Sequence, residues 1–148
     1  MWESLNNDEL HYLLLIANNY ATKSIVKRTN KLGLMPGQPK ILEFLSAHNG
    51  CTQKEIGLGC ALDKSTITFL LSGMEKQDLI RKVSHASDKR SYLIHLTEKG
   101  EKTAAEVKDI FHAVDNAAWK NTDASDKTAF IKMLKRIIEN LKTESDKP

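Results

Sequence analysis

Between residues 52 and 97 the sequence predicts two short helices joined by a tight turn and then a β-hairpin. This order of elements constrains the fold more than any other feature of the sequence. Thr52 and Glu55 have the Thr-x-x-Glu spacing of a capping box, which opens the first helix. Ala61-Leu62 form the turn, and Asp63 is the expected N-cap of the second helix. The pattern is typical of a helix-turn-helix.

The second helix is predicted to have two unlike faces at about 100° per residue. The expected buried face is apolar and consists of Ile67, Leu70, Leu71 and Met74. The opposite face carries Ser65, Thr68, Phe69 and Ser72. A helix that enters a major groove needs short donors and acceptors on its outer face; Ser65, Thr66 and Thr68 meet this need, and Lys64 can reach a phosphate. Taken alone, these hydroxyl groups suit an ordinary exposed helix equally well.

Beyond this helix the hydrophobic period changes from helical to alternating. Ile80–Ser84 and Tyr92–Leu96 predict two strands, and the polar, basic segment between them predicts a projecting loop. Arg90 and Lys89 on such a loop can approach the negative potential of a narrow minor groove. Asp88 is placed to hold the Arg90 guanidinium by a charge-assisted hydrogen bond. A helix-turn-helix followed by such a hairpin is a winged helix-turn-helix.

Long amphipathic helices are predicted on both sides of this centre, which spans residues 36–98. Their apolar stripes, within 8–33 and 101–142, run further than the small centre can cover, so we expect them to form a two-fold dimerisation region. An intramolecular bundle is the alternative. The polar residues 143–148 are expected to fray. The predicted fold is mainly α with a small two-stranded β-hairpin wing: one domain over 1–148, a winged helix-turn-helix with N- and C-terminal dimerisation helices.

Charge is unevenly distributed although the formal net charge is only +3. Residues 11–42 contain Lys and Arg but no Asp or Glu, and residues 81–90 are also basic. Two basic zones on a nearly neutral chain favour an anionic partner met on one face. The longest apolar run, Tyr12–Ala17, is too short to cross a bilayer, and the acidic N-terminal segment does not resemble an export signal. The expected location is the cytoplasm, with no membrane partner.

The ordered motifs resemble those of the multiple-antibiotic-resistance regulator (MarR) family of bacterial winged-helix repressors. The matching stretches are Leu34-Met35-Pro36-Gly37-Gln38, Thr52-Gln53-Lys54-Glu55-Ile56, Leu62-Asp63-Lys64-Ser65-Thr66-Ile67-Thr68, Met74-Glu75-Lys76, Leu79-Ile80, Asp88-Lys89-Arg90 and Leu96-Thr97-Glu98-Lys99-Gly100. The Asp-x-Arg wing followed by Leu-Thr-x-x-Gly is the most specific part. The resemblance implies a homodimeric repressor that binds a pseudo-palindromic double-stranded DNA operator. It also implies release by a small-molecule or redox signal.

The resemblance also implies roles for single residues. Ser65, Thr66 and Thr68 are expected at the major groove by resemblance, and Lys64, Phe69 and Ser72 on the same helix complete the expected major-groove set. Those expected at the minor groove, on the wing, are Asp88, Lys89 and Arg90. Those expected near DNA phosphates are Gln38, Thr52, Gln53 and Lys54.

One position departs from the family pattern. The family commonly has Arg where this chain has Phe69. An outward aromatic ring can press on a thymine methyl group, or it can cover a protein surface. The second use leaves an alternative function open, a winged-helix protein-interaction module with weak or lost operator binding.

No catalytic motif, metal site or cofactor motif is found, so we expect neither an enzyme nor a bound cofactor. His48 and Cys51 are three residues apart, but no second pair completes a zinc site. Cys60 is expected in the core and Cys51 nearer the surface, which leaves a redox switch possible in principle. By resemblance, a small aromatic or anionic effector would bind between the dimer arms and the centre, at residues that the sequence does not identify.

Overall fold

The computed structural model describes residues 8–85 and 88–148, and for residues 88–90 it describes the backbone alone. The elements follow the predicted order. They are α1 (Leu10–Thr29), a short 3-10 turn (Asn30–Leu32), α2 (Gln38–Ala47), β1 (Cys51–Thr52), α3 (Gln53–Gly59), α4 (Lys64–Lys76), β2 (Ile80–His85), β3 (Asp88–Leu96), α5 (Glu98–Ala118) and α6 (Ala124–Ser145). The mainly helical fold class with a β wing is therefore confirmed.

The wing is a three-stranded antiparallel sheet with the order β1-β3-β2. The predicted hairpin is present, with Ile80 paired to Leu96 and Val83 to Leu93. Its strands are longer than predicted, since β3 begins at Asp88 and takes up much of the expected loop. The sequence did not predict β1, because a two-residue strand has no alternation to detect.

One hydrophobic core lies beneath α4 and the inner face of the sheet. Its most completely buried apolar side chains are Ile41, Leu42, Leu45, Ile56, Leu71, Met74, Ile80, Ile94 and Val107. The predicted apolar face of α4 is buried throughout, which confirms the helical period of residues 67–74. Ala104 and Val107 extend the core along the first half of α5. Packing against this core therefore anchors the helix-turn-helix.

The end of the wing and the start of α5 pack closely against each other and are linked by hydrogen bonds. The Thr97 hydroxyl accepts a hydrogen bond from the Gly100 amide at 2.9 Å and donates one to the Asp78 carbonyl at 2.5 Å. A Cβ atom at position 100 would overlap the carbonyl oxygen of Leu79. The Leu-Thr-x-x-Gly motif therefore has a local physical cause: the Thr caps α5, and the Gly permits its first turn to approach the backbone.

The chain divides into two compact units, one ending at Val114 and the other spanning Asp115–Pro148. In the second unit, the Asp123 carboxylate accepts a hydrogen bond from the Asp126 amide at 2.8 Å and caps α6. α6 continues to Ser145, so the polar tail predicted from residue 143 begins later. Among the described residues, no helix combines the length and the apolar character needed to cross a membrane.

Candidate nucleic-acid interface

Hydrogen-bonded caps fix the starts of α3 and α4. The Glu55 amide donates to the Thr52 hydroxyl at 3.2 Å, and the Thr52 amide donates to the Glu55 carboxylate at 2.8 Å, which confirms the predicted capping box. The Asp63 carboxylate accepts from the Thr66 amide at 2.7 Å and from the Ser65 hydroxyl at 2.9 Å. Hydrogen bonds from Thr66 and Ser65 hold the pKa of Asp63 below its usual value. This carboxylate is therefore charged at neutral pH and suits the N-terminus of α4.

The turn between α3 and α4 is closed by a backbone hydrogen bond from Leu62 to the carbonyl of Gly57 at 2.9 Å. Ala61 takes a left-handed conformation there, with a φ of 54°. This region costs an L-residue about 1–2 kcal/mol. The turn that orients α4 therefore contains local backbone strain.

The outward side of α4 forms one shallow concave surface, which we call the α4 face. It is lined by Lys64, Ser65, Thr68, Phe69 and Ser72. Phe69 is 63% exposed at its middle. Five of the six residues predicted for the major groove therefore share a single surface, and the sixth, Thr66, is half-buried at the cap.

A polar contact ties α3 to the α4 face. The Gln53 side-chain amide donates to the Thr68 hydroxyl at 2.7 Å, and that hydroxyl donates to the Lys64 carbonyl at 2.8 Å. The sequence predicted Gln53 near a phosphate, whereas the structure joins it to a residue predicted to read bases. This link spans fifteen positions across the turn. It depends on the angle between the two helices, which no local pattern in the sequence gives.

Gln38 lies elsewhere, and the prediction of a phosphate contact for it is wrong. Its side chain is fully buried. The side-chain oxygen of Gln38 accepts a hydrogen bond from the Met35 backbone amide at 2.9 Å, and its side-chain nitrogen donates one to the Gln77 side-chain oxygen at 2.9 Å. Gln77 in turn donates to the Gly33 carbonyl at 2.9 Å. Gln38 thus bridges the turn before α2 to the end of α4 and has no surface to offer a phosphate.

The other residues predicted to contact DNA differ in how exposed they are and in whether their polar groups are already hydrogen-bonded. Lys54 is exposed near the start of α3, while the Thr52 hydroxyl is engaged in the cap. The side chains of Asp88, Lys89 and Arg90 lie outside the described residues. On β2, Arg81 and Lys82 are exposed and add positive charge to the wing.

The cysteines and histidines form no metal-binding group among the described residues, since no cluster of three or more potential ligands occurs there. His48 stacks on Phe44 with ring centroids 4.6 Å apart. Cys51 and Cys60 are equally buried, at 8% exposure, so the expectation that Cys51 lies nearer the surface is wrong. Burial raises the pKa of both thiols, which keeps them protonated and slow to react.

A capped helix with a hydroxyl-lined outer face, set beside an antiparallel wing, defines a winged helix-turn-helix domain. A profile described as the MarR family matches residues 32–91. The organic hydroperoxide resistance transcriptional regulator of Bacillus subtilis is 36% identical over 93 residues, which are 63% of this chain and 63% of that protein. The regulator MgrA of Staphylococcus aureus is 30% identical over 106 residues, 72% of this chain and 70% of that protein.

Solved structures share the fold. The S. aureus MepR–DNA complex has a TM-score of 0.84 at 20% identity and covers 90% of this chain and 99% of that chain. The chain belongs to the MarR family of transcriptional regulators, and its relatives are regulators rather than enzymes.

Proposed function

We propose that this protein is a sequence-specific DNA-binding repressor that acts as a homodimer on a pseudo-palindromic operator in the cytoplasm. The α4 face carries the proposal. Its hydroxyl groups are short and are positioned by the Asp63 cap and the Gln53–Thr68 hydrogen bond, so the helix can approach base edges closely. The likeness to the S. aureus MepR–DNA complex, a structure of the same fold solved with DNA, supports DNA binding by this fold.

The flanks of the α4 face supply the charge that DNA binding needs. Lys64 and Lys54 are exposed and have no carboxylate partner among the described residues, so both are available to phosphates. Thr52 and Gln53 are proposed to lie near the same backbone. On the wing, Arg90 is proposed to reach the minor groove, with Asp88 holding its guanidinium and Lys89 adding charge.

Homodimerisation is supported by exposed apolar surface on the terminal helices. On α1 it consists of Leu10, Leu13, Leu14, Leu15 and Tyr20, and on α6 of Phe130, Ile131, Met133, Ile138 and Leu141. Two such stripes are more than scattered exposed side chains and are typical of an interface. We propose residues 8–33 and 101–142 as the dimerisation region and 36–98 as the DNA-binding lobe. A two-fold dimer then presents two α4 helices to half-sites about one helical turn, roughly 34 Å, apart.

We propose a small aromatic or anionic effector, and not a redox change, as the release signal. A redox signal needs an accessible, low-pKa thiol. Both cysteines are buried with raised pKa values, so neither meets this requirement.

Phe69 supports one alternative function, a winged-helix module that binds protein and has lost tight operator binding. A ring that is 63% exposed at the centre of the α4 face could pack against an apolar protein surface. In a protein that binds an operator, the ring would instead pack against a thymine methyl group. Whether the protein binds DNA at all separates the two.

The test is fluorescence anisotropy with DNA fragments from the promoters beside the gene, titrated at several salt concentrations. We expect salt-dependent binding to one fragment and about tenfold weaker binding for Arg90→Ala, with the dimer intact by sedimentation. Lys147→Ala is the matched control, because it removes one exposed positive charge outside the DNA-binding lobe and the proposed dimerisation region. Unchanged affinity in Arg90→Ala would contradict the wing role, and no salt-dependent binding by the wild type would favour the protein-interaction module.

A further inference from the structure

Phe69 is an isolated apolar side chain on an otherwise polar surface. It lies at the middle of the α4 face and is 63% exposed. The other residues that line this face all carry a polar group: Lys64, Ser65, Thr68 and Ser72. A stable protein–protein interface buries about 800 Å² on each partner around an apolar centre, and one ring among hydroxyl groups does not supply such a centre. The surroundings of Phe69 therefore favour a small apolar group as its partner.

The hydroxyl groups beside Phe69 already use their protons. The Ser65 hydroxyl donates to the Asp63 carboxylate at 2.9 Å, and the Thr68 hydroxyl donates to the Lys64 carbonyl at 2.8 Å. Both oxygens can still accept, but neither can donate to a base without breaking an existing hydrogen bond. These bonds limit what the two hydroxyl groups can read, which leaves base discrimination at the middle of the face to the Phe69 ring.

The position of Phe69 along α4 lets its ring reach a base edge. Ser65 precedes it by four residues and Ser72 follows it by three, so small side chains lie about one turn away on the same side of the helix. With these small neighbours the ring is the group that extends furthest into a groove. In the major groove the apolar group that a base edge presents is the C5-methyl group of thymine.

We propose that Phe69 is a specificity-determining residue that reads the C5-methyl group of a thymine in each operator half-site. This inference rests on the proposed function and deepens it, because it names the base that the middle of the α4 face recognises. The ring removes the methyl group from water. A cytosine at the same position has no methyl group, and its amino group would lose water against the ring without gaining a hydrogen bond. Each half-site therefore carries an A·T pair where the middle of α4 crosses it.

The test compares thymine with uracil, which differs from thymine only by lacking the C5-methyl group. The full-length protein is titrated by fluorescence anisotropy with the promoter fragment that it binds. The fragment is prepared with thymine, with uracil at every thymine position, and with uracil at single positions. Burial of one methyl group corresponds to about a fourfold change in affinity. We expect uracil to weaken wild-type binding about fourfold at one half-site and up to about fifteenfold at both.

Two variants show whether this loss depends on the ring. Phe69→Ala should bind the thymine duplex more weakly and lose most of the preference for thymine over uracil, because the methyl group no longer meets a ring. Ser72→Ala is the matched control, since it changes a neighbour on the same face and should keep the preference. Neither side chain belongs to the core, so both variants should keep wild-type circular dichroism and the wild-type dimer in sedimentation.

Equal wild-type affinity for the thymine and uracil duplexes would overturn the proposal. A thymine preference that persists undiminished in Phe69→Ala would overturn it as well. Either result leaves the proposed function intact, because the protein still binds its fragment. A wild type without salt-dependent binding to any promoter fragment would reject the proposed function and this inference together, and would favour a protein partner for the Phe69 ring.

Discussion

Gln38 provides a direct test of whether a predicted DNA contact is instead a structural bridge. The sequence placed it at a phosphate, whereas its buried side chain joins the Met35 amide to Gln77. Replacement by alanine removes both hydrogen bonds and leaves a space beneath Gly73, whose Cβ, if present, would lie 3.2 Å from the Gln38 amide nitrogen. We therefore expect Gln38→Ala to lower the free energy of unfolding and to leave the DNA contacts of the folded protein unchanged.

The size of this effect follows from the two lost contacts and the lost volume. Each hydrogen bond contributes about 1 kcal/mol net, and a buried side chain of this size truncated to alanine costs about 2–5 kcal/mol when its neighbours do not close the space. The cost of truncating the side chain already includes part of the loss of its hydrogen bonds. We therefore expect the free energy of unfolding to fall by about 2–4 kcal/mol. With a urea m-value of about 2 kcal/mol per molar, the middle of the usual range, the unfolding midpoint falls by roughly 1–2 M.

The assay is urea unfolding followed by circular dichroism at one fixed protein concentration, because dimer stability depends on concentration. Gln53→Ala is the matched control: it loses the exposed hydrogen bond to Thr68, so it should weaken DNA binding and change the midpoint little. At a temperature where both variants are folded, Gln38→Ala should bind DNA as the wild type does. A Gln38→Ala protein of wild-type stability with weakened DNA binding would refute the reasoning and restore the phosphate role.

Three further substitutions test other parts of the structure. Gly100→Ala should lower the free energy of unfolding by about 1–3 kcal/mol in thermal denaturation, because its methyl group overlaps the Leu79 carbonyl, and wild-type stability would show that this junction relaxes freely. Ala61→Gly should raise stability by up to about 1 kcal/mol, since glycine relieves the left-handed strain of the turn; a loss of stability would mean that chain entropy outweighs it. Phe69→Arg should increase general DNA affinity and steepen the salt dependence by about one unit of slope, and a titration across salt without either change would reject the position as DNA-facing.

The sequence predicted the helix-turn-helix well because its signals are local. The Thr52 capping box, the Asp63 cap and the apolar period of α4 each act within a few residues, and all are present. Contacts between distant positions were not predictable in this way. The pairing of Cys51 with Ile94 and the burial of Gln38 against Gln77 depend on how elements pack, which a single sequence does not specify.

The error at Gln38 arose because its role was assigned from the position of a motif, and a motif does not say which way a side chain points. Gln53 was assigned in the same way, and its phosphate contact stays a proposal beside the observed hydrogen bond to Thr68. A glutamine at the start of a helix can face solvent or bridge inward, and only the structure shows Gly73 opposite Gln38, where a Cβ atom would lie 3.2 Å from the Gln38 side-chain nitrogen. The side chains of residues 88–90 lie outside the described residues, so the wing roles of Asp88, Lys89 and Arg90 stay predictions.

The two faces of α4 separate stability from recognition. Ile67, Leu70, Leu71 and Met74 anchor the helix in the core, whereas the caps and the Gln53–Thr68 hydrogen bond position the outer side chains with little burial. A change on the α4 face therefore alters what the helix reads without a large cost in folding, because exposed substitutions usually shift stability by no more than about 0.5 kcal/mol. An exposed aromatic ring at Phe69 is tolerated for this reason: the core beneath it does not depend on which side chain faces outward.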